Sequence, residues 1–215
     1  MTFASMAGLY IHIPFCRKAC HYCNFHFSTQ LKNIAPLVDA LCDEIASEAP
    51  NFPHPLQTIY FGGGSPSLLS SSQIAQIFAA IQTNFQVAMV EEITLEANPE
   101  DMTLDALSHW KSLGINRLSV GIQSLNNSEL QWMNRAHSAE QAIQSLELAQ
   151  SIGFHNFSLD LIYGSAKKTL AQWKLELDWV KSVSSMATRR VQRRRAQDSS
   201  FRVPPRTQRR LKSAS

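Results

Sequence analysis

Strand-like runs alternate with helix-like segments along most of this chain, and that alternation limits its fold more than any other feature. The apolar and β-branched pattern predicts short strands at Gly8–Ile13, Thr58–Phe61, Glu92–Glu96, Arg117–Gly121 and Phe157–Ile162. Between them lie helical periodicities. Asn33–Ala49 presents Leu37, Leu41 and Ile45 on one face, and Ser71–Asn84 presents Ile74, Ile77, Phe78 and Ile81 behind serines placed to cap it. Further helices are predicted over Thr103–Leu113, closed by Gly114, over Asn127–Asn134, and over Ala139–Ser151, closed by Gly153. A last one spans Thr169–Val183 with Leu170, Trp173, Leu177 and Val180 on one face. Strand–helix–strand order of this kind dictates an α/β fold with a parallel sheet and right-handed crossovers.

After the first strand come three cysteines, Cys16, Cys20 and Cys23, spaced Cys-x3-Cys-x2-Cys in GLYIHIPFCRKACHYCNF. Three closely spaced thiols are too tight and too odd in number for a disulfide framework. They supply one ligand fewer than a closed four-ligand metal site requires. An iron–sulfur cluster held this way keeps one iron open to another ligand. A structural zinc ion is the alternative, with His21 or His26 completing the set. Cys42, within VDALCDEIASEA, reads as a small core residue of the first helix.

Charge is segregated. Residues 184–215 hold ten of the twenty Lys and Arg with Asp198 as their single acid, so the net +3 of the chain conceals an acidic body and a strongly basic end. The basic stretch RRVQRRRAQDSSFRVPPRTQRR shows neither helical nor strand periodicity and is expected to be disordered. It reads as a nucleic-acid- or membrane-binding arm, or as a frameshifted or truncated end. No apolar run reaches the roughly 18 residues needed to span a bilayer. MTFASMAGLY lacks the pattern of a secretory signal, and cysteines available as thiolates suit a reducing compartment, so a cytoplasmic location is expected.

Six blocks carry a family resemblance: YIHIPFCRKACHYCNF (10–25), IYFGGGSPS (59–67), ITLEANPE (93–100), RLSVGIQSLN (117–126), MNRAHS (133–138) and LDLIYG (159–164). On these blocks, spread over about residues 8–183, the chain resembles the radical SAM family, in the group containing oxygen-independent coproporphyrinogen III oxidases of porphyrin biosynthesis and heme chaperones. The resemblance implies a partial (β/α)6 barrel related to the TIM barrel. Residues 1–183 would form an incomplete radical SAM core, ending after the fifth strand and its following helix. The sixth strand would be missing, and 184–215 would be an appended tail. It also implies a 4Fe–4S cluster on Cys16, Cys20 and Cys23, with S-adenosylmethionine chelating the free iron. Tyr10 and Tyr22 would flank the cluster; Gly62, Gly63 and Gly64 would let backbone approach the methionyl amine, with the Ser65 hydroxyl beside it. Glu96, Gln123 and Asp160 would hydrogen-bond around the ribose and amine, and the planar fork of Arg135 would meet a carboxylate. An electron passed from the reduced cluster would cleave a C–S bond of the sulfonium to give a 5′-deoxyadenosyl radical, with the protein positioning the cofactors and excluding water.

Two members of that group differ at positions visible here. The oxidases carry a fourth cysteine two residues past the third, where this chain has Phe25, and a long extension before the tyrosine, where only nine residues precede Tyr10. Both differences favour a heme chaperone that delivers heme to acceptor proteins. The chaperones' HNxxYW signature is not found: His155-Asn156 continues into Phe157-Ser158. The usual Gly-Leu-Pro after the fifth strand is replaced by Gly164-Ser165-Ala166. The remaining histidines (His12, His21, His26, His54, His109 and His137) read as surface or hydrogen-bonded residues, and a fragment without function is a third reading.

Overall fold

The structure, a computed structural model, describes residues 7–165, 168–184 and 188–195. Six parallel strands run in sequence order: β1 (Ala7–Ile13), β2 (Leu56–Gly63), β3 (Glu92–Ala97), β4 (Arg117–Gln123), β5 (Asn156–Tyr163) and β6 (Thr188–Arg195). The intervening helices are α1 (Ile34–Glu48), α2 (Ser71–Asn84), α3 (Leu104–Ser112), α4 (Asn127–Trp132), α5 (Ala139–Ser151) and α6 (Leu170–Ser184). Each strand lies beside its predecessor, and β1 and β6 form the two ends of the sheet, so the architecture is the expected α/β partial barrel.

The sheet runs one strand further than the sequence indicated. Thr188–Arg195 pairs with β5 in continuous register, from Asn156↔Thr188 to Tyr163↔Arg195. A parallel ladder is built from backbone N–H and C=O groups, which any non-proline residue supplies. A run such as TRRVQRRR therefore completes the ladder without the alternation by which strands are recognised. The remainder of the basic end, 196–215, lies outside the described residues.

Helix starts follow local chemistry. Ser70 with Gln73, and Ser138 with Gln141, form reciprocal capping boxes at α2 and α5; Asn126 and Thr103 cap α4 and α3. Two local expectations are corrected. The fourth helix stops at Trp132 rather than Asn134, because Asn134 turns into the left-handed region at φ 59°. On α6 the inward face is rotated: Leu170 is 68% exposed, whereas Glu176 is 5% exposed beside the buried Val180. Glu176 goes inside because it meets the cationic Lys168 there.

The two faces of the sheet differ in chemistry. Ile11, Ile13, Ile59, Phe61, Leu95, Leu118, Val120, Leu159 and Leu161 point to one side and pack against the helices in a single core with Trp110, Phe78 and Phe154. Burial of each large side chain contributes about 1.5–3 kcal/mol. The alternate residues, Tyr10, His12, Glu96, Ser119, Gly121 and Asp160, line a cleft on the other side. Period-two alternation in a parallel sheet means that one face is left for something other than a core.

Candidate functional site

The cleft encloses about 820 Å³ and gathers the carboxyl-terminal ends of the strands with the loop that follows β1. This is the rim on which barrels of this class carry their functional groups. All three predicted cysteines, Cys16, Cys20 and Cys23, line it, and all are free thiols. Among the described residues no three His, Cys, Asp or Glu side chains are gathered closely enough to hold a single metal ion.

The cysteine loop is held from several directions. A bridge between Phe15 and Ser28 pinches its base, with Cys16 N donating to Ser28 O at 3.0 Å and Ser28 N to Pro14 O at 2.7 Å. Arg17 pairs with Asp101 at 2.9 Å, and Ser67 Oγ donates to the other oxygen of that carboxylate at 2.7 Å. The turn after α4 grips the middle of the loop: Asn134 Nδ2 donates to Ala19 O at 2.8 Å and His21 N to Met133 O at 3.1 Å. His21 Nδ1 is engaged by Trp132 O at 2.7 Å, while His26 lines the cleft. Burial raises the Cys16 thiol pKa, reinforced by the neighbouring Cys23 and Cys20 and opposed by Ser65 and Arg135.

Arg135 is a hub of the site. Its guanidinium donates to Cys20 Sγ (3.6 Å), Tyr22 OH (3.4 Å), Asn98 Oδ1 (2.7 Å) and Gly121 O (2.8 Å). Burial works against its charge, yet Tyr22, Cys20 and Glu100 together hold it above its ordinary pKa. Its Nε has no hydrogen-bond partner among the described residues. Burial likewise pushes the Tyr22 hydroxyl pKa up, against the pull of Arg135.

The glycine run does more than bare the backbone. Gly63, Gly64 and Ser65 line the cleft, but Gly62 is buried beneath the rings of Tyr10 and Tyr60. A Cβ at Gly64 would stand 2.5 Å from Phe15 O, and Gly63 adopts φ +118°, so close strand contact requires these glycines. Ser65 Oγ accepts from Asn98 Nδ2 at 2.9 Å and lies 3.8 Å from Cys16 Sγ. Glu96 is pinned by Tyr60 OH at 2.8 Å and Gly63 N at 3.0 Å. Tyr10, 55% exposed, stacks on Tyr60 with ring centroids 5.8 Å apart. Asp160 lines the cleft from within β5, and Gln123, the last residue of β4, lines it with an Oε1 that no described residue hydrogen-bonds.

Sequence reading missed Tyr60, Asn98, Glu100 and Ser119. Strand alternation could have found Tyr60 and Ser119, which occupy the same sheet face as Tyr10 and Glu96.

Residues 10–180 match the Radical SAM superfamily. The chain belongs to that superfamily. Membership implies a 4Fe–4S cluster and S-adenosylmethionine. Among curated radical SAM relatives, the heme chaperone HemW of Lactococcus lactis is 34% identical over 170 residues, covering 79% of this chain and 44% of its own. The oxygen-independent coproporphyrinogen III oxidase of Escherichia coli is 37% identical over 165 residues, covering 75% of this chain and 36% of its own. The solved structure of the E. coli coproporphyrinogen III oxidase HemN, a radical SAM enzyme, superposes with a TM-score of 0.80 at 32% identity, over 91% of this chain and 45% of that one. The chain thus spans less than half the length of these relatives. The radical SAM site fits its implied cofactors in two respects. Three free thiols face one cavity, and two buried polar atoms, Gln123 Oε1 and Arg135 Nε, lack protein partners among the described residues. Among those residues no helix is long and apolar enough to cross a membrane.

Proposed function

We propose that this chain is the cluster- and SAM-binding part of a heme chaperone that passes heme to acceptor proteins in the cytoplasm. The observation that carries the cluster- and ligand-binding part of this reading is the convergence of Cys16, Cys20 and Cys23 with Glu96, Gln123, Arg135 and Asp160 on one cleft. Cys16, Cys20 and Cys23 would hold the cluster. Tyr10, Tyr22, Gly63, Gly64, Ser65, Glu96, Gln123, Arg135 and Asp160 would surround the adenosyl ligand, with Gly62 acting through packing of the strand.

When bound, the cluster and S-adenosylmethionine supply one-electron cleavage of a carbon–sulfur bond. The protein's residues orient and shield. Arg135 places its guanidinium 3.6 Å from Cys20 Sγ, a positive charge complementary to the negative charge of a metal-bound sulfur. Glu96, fixed by Tyr60 and Gly63, presents remaining lone pairs to the cleft in one orientation. Ser65, bonded to Asn98, is held next to Cys16.

The chaperone reading rests on Phe25. The oxidases hold a cysteine at this position, whereas here a ring 63% exposed lines the cleft and offers a flat apolar surface to a porphyrin. Oxidation of coproporphyrinogen III is the second reading, favoured by the 37% identity to the E. coli oxidase. Anaerobic reconstitution with iron and sulfide, followed by electron paramagnetic resonance with and without S-adenosylmethionine, tests the shared claim. A reduced-cluster signal unchanged by the ligand would reject it. Heme titration and a coproporphyrinogen decarboxylation assay on the same sample then separate the two readings.

A further inference from the structure

Gln123 occupies an unusual piece of backbone. It adopts φ 67°, and Ser124 N donates to Ile122 O at 2.9 Å across it, which closes a tight three-residue turn. A non-glycine residue in such a turn is strained, and strain of this kind persists only where the surroundings over-determine it. The turn also follows a bulge: Val120 pairs with Leu159 but Gln123 pairs with Leu161, so three steps on β4 match two on β5. Bulges re-aim side chains. The outcome is that Gln123, only 7% exposed, packs Nε2 over Gly121 and leaves Oε1 without a partner among the described residues.

Two buried devices hold the turn. On one side His137, its side chain wholly buried, engages Ile122 O through Nε2 at 3.1 Å and Glu100 Oε2 through Nδ1 at 3.1 Å. On the other side Ser124 Oγ reaches Glu129 Oε2 at 2.6 Å and Glu176 Oε1 at 2.8 Å. Lys168 lies between those carboxylates at 2.9 and 2.5 Å, its side chain 3% exposed. Glu176 also accepts from Leu125 N at 2.8 Å, so α6 grips both residues that follow Gln123. A charged cluster buried this deeply stabilises little compared with a well-packed apolar one, and specifying a local geometry is a better account of it.

We infer that the Lys168–Glu129–Glu176 cluster, acting through Ser124, clamps the strained turn and so aims Gln123 at the ligand of the cleft. Ser124, Lys168 and Glu176 are then positioning residues for the adenosyl ligand. This rests on the proposed binding of S-adenosylmethionine in the cleft. It adds a role for the segment after β5 and for α6, neither of which contributes a residue to the predicted ligand shell beyond Asp160 within the strand.

The test uses the full chain, reconstituted anaerobically, with iron and sulfide content and S-adenosylmethionine affinity measured separately. Ser124→Ala weakens ligand binding about tenfold while cluster content stays at the parent level. In a Gln123→Ala background the same substitution adds no further loss, because its effect passes through Gln123. Unchanged affinity in Ser124→Ala, or a loss that adds to that of Gln123→Ala, overturns the inference. Should Ser124→Ala fail to fold, Glu176→Gln keeps an acceptor for Leu125 N while removing a charge, and parental affinity in that variant overturns it equally. A parent chain that takes up the cluster but binds no S-adenosylmethionine refutes the functional reading itself before any variant is compared. The clamp is then decided on the cluster-free chain, where amide exchange at Ser124 is faster in Lys168→Met than in the parent if the clamp exists, and identical if it does not.

Discussion

Arg135 Nη1 lies 3.6 Å from Cys20 Sγ, so a guanidinium from the turn after α4 is hydrogen-bonded to a thiol of the loop after β1. The same side chain reaches Asn98 and the backbone of Gly121, tying the β3 and β4 ends to the cysteine loop. Replacing it with lysine keeps a charge but loses the planar fork that serves these acceptors together. Arg135→Lys is therefore expected to lower the stability of the cluster-free chain by about 1–3 kcal/mol and to reduce iron retained after reconstitution. Denaturant melts and iron assays check both. Parental iron retention in the variant would show that the hub is not needed by the cysteine loop.

The four cysteines divide cleanly by environment. Cys16, Cys20 and Cys23 face the cleft, whereas Cys42 packs against the core from α1. Serine at any of the first three positions is expected to abolish stable uptake of iron and sulfide. Cys42→Ser is expected to take up parental amounts, with a stability loss of about 1 kcal/mol or less at its half-buried site. Iron and sulfide assays on the four variants, prepared side by side, decide the matter. Uptake by Cys20→Ser at the parental level would remove the cluster assignment.

Much of this was legible in the residues, for identifiable reasons. Segments such as Tyr10-Ile11-His12-Ile13 and Ser158-Leu159-Asp160-Leu161 alternate polar and apolar residues, and strand geometry turns that alternation into a packed face and a cleft face. The cysteines and Glu96 follow from where the strands end. Other features depend on long-range meetings that no local pattern encodes. Glu176 is buried because Ser124, 52 positions earlier, and Lys168 meet it there. Leu170, at an apolar position of the helical period, is instead left outside. The sixth strand carries no local signature, because its backbone pairing with β5 needs none from the side chains.

Gly64 tests the packing role of the glycine run. An added Cβ would come within 2.5 Å of Phe15 O and 2.9 Å of Phe15 N, both rigid backbone atoms next to Cys16. Gly64→Ala is expected to destabilise the chain by about 1–3 kcal/mol and to displace Ser65 and the base of the cysteine loop. Equilibrium unfolding measures the first effect and iron retention the second. A variant as stable as its parent would mean that the β2 end yields easily.

Acid should loosen the pair formed by Glu100 and His137. Burial alone would raise the Glu100 pKa, but the hydrogen bond from His137 and the charge of Arg135 outweigh it and leave the carboxyl below its ordinary value. A depressed carboxyl pKa contributes stability that is present above the unfolded-state value and lost as pH falls through the folded one. Stability of the cluster-free chain is thus expected to decline on acidification below the usual carboxylate range. Asp101, raised chiefly by burial, acts in the opposite sense, so the comparison must be with His137→Gln. That variant, lacking the imidazole partner, is expected to show a shallower acid dependence. Equal slopes in denaturation series across this range would exclude a contribution from the pair.

Phe25 separates the two functional readings with one substitution. Its ring lines the cleft at 63% exposure and is not among the residues of the core, so removing it opens no cavity there. Phe25→Ala is expected to fold and take up its cluster as the parent does. If heme stacks against this ring, the variant binds heme about two- to tenfold more weakly, the range set by a single aromatic contact. Affinity for S-adenosylmethionine stays unchanged, because none of the groups proposed to hold that ligand is altered. Absorbance titration with heme and ligand titration of the reconstituted cluster give the two numbers independently. Equal heme affinity in parent and variant would remove Phe25 from the heme surface, and with it the structural argument that favours the chaperone over the oxidase.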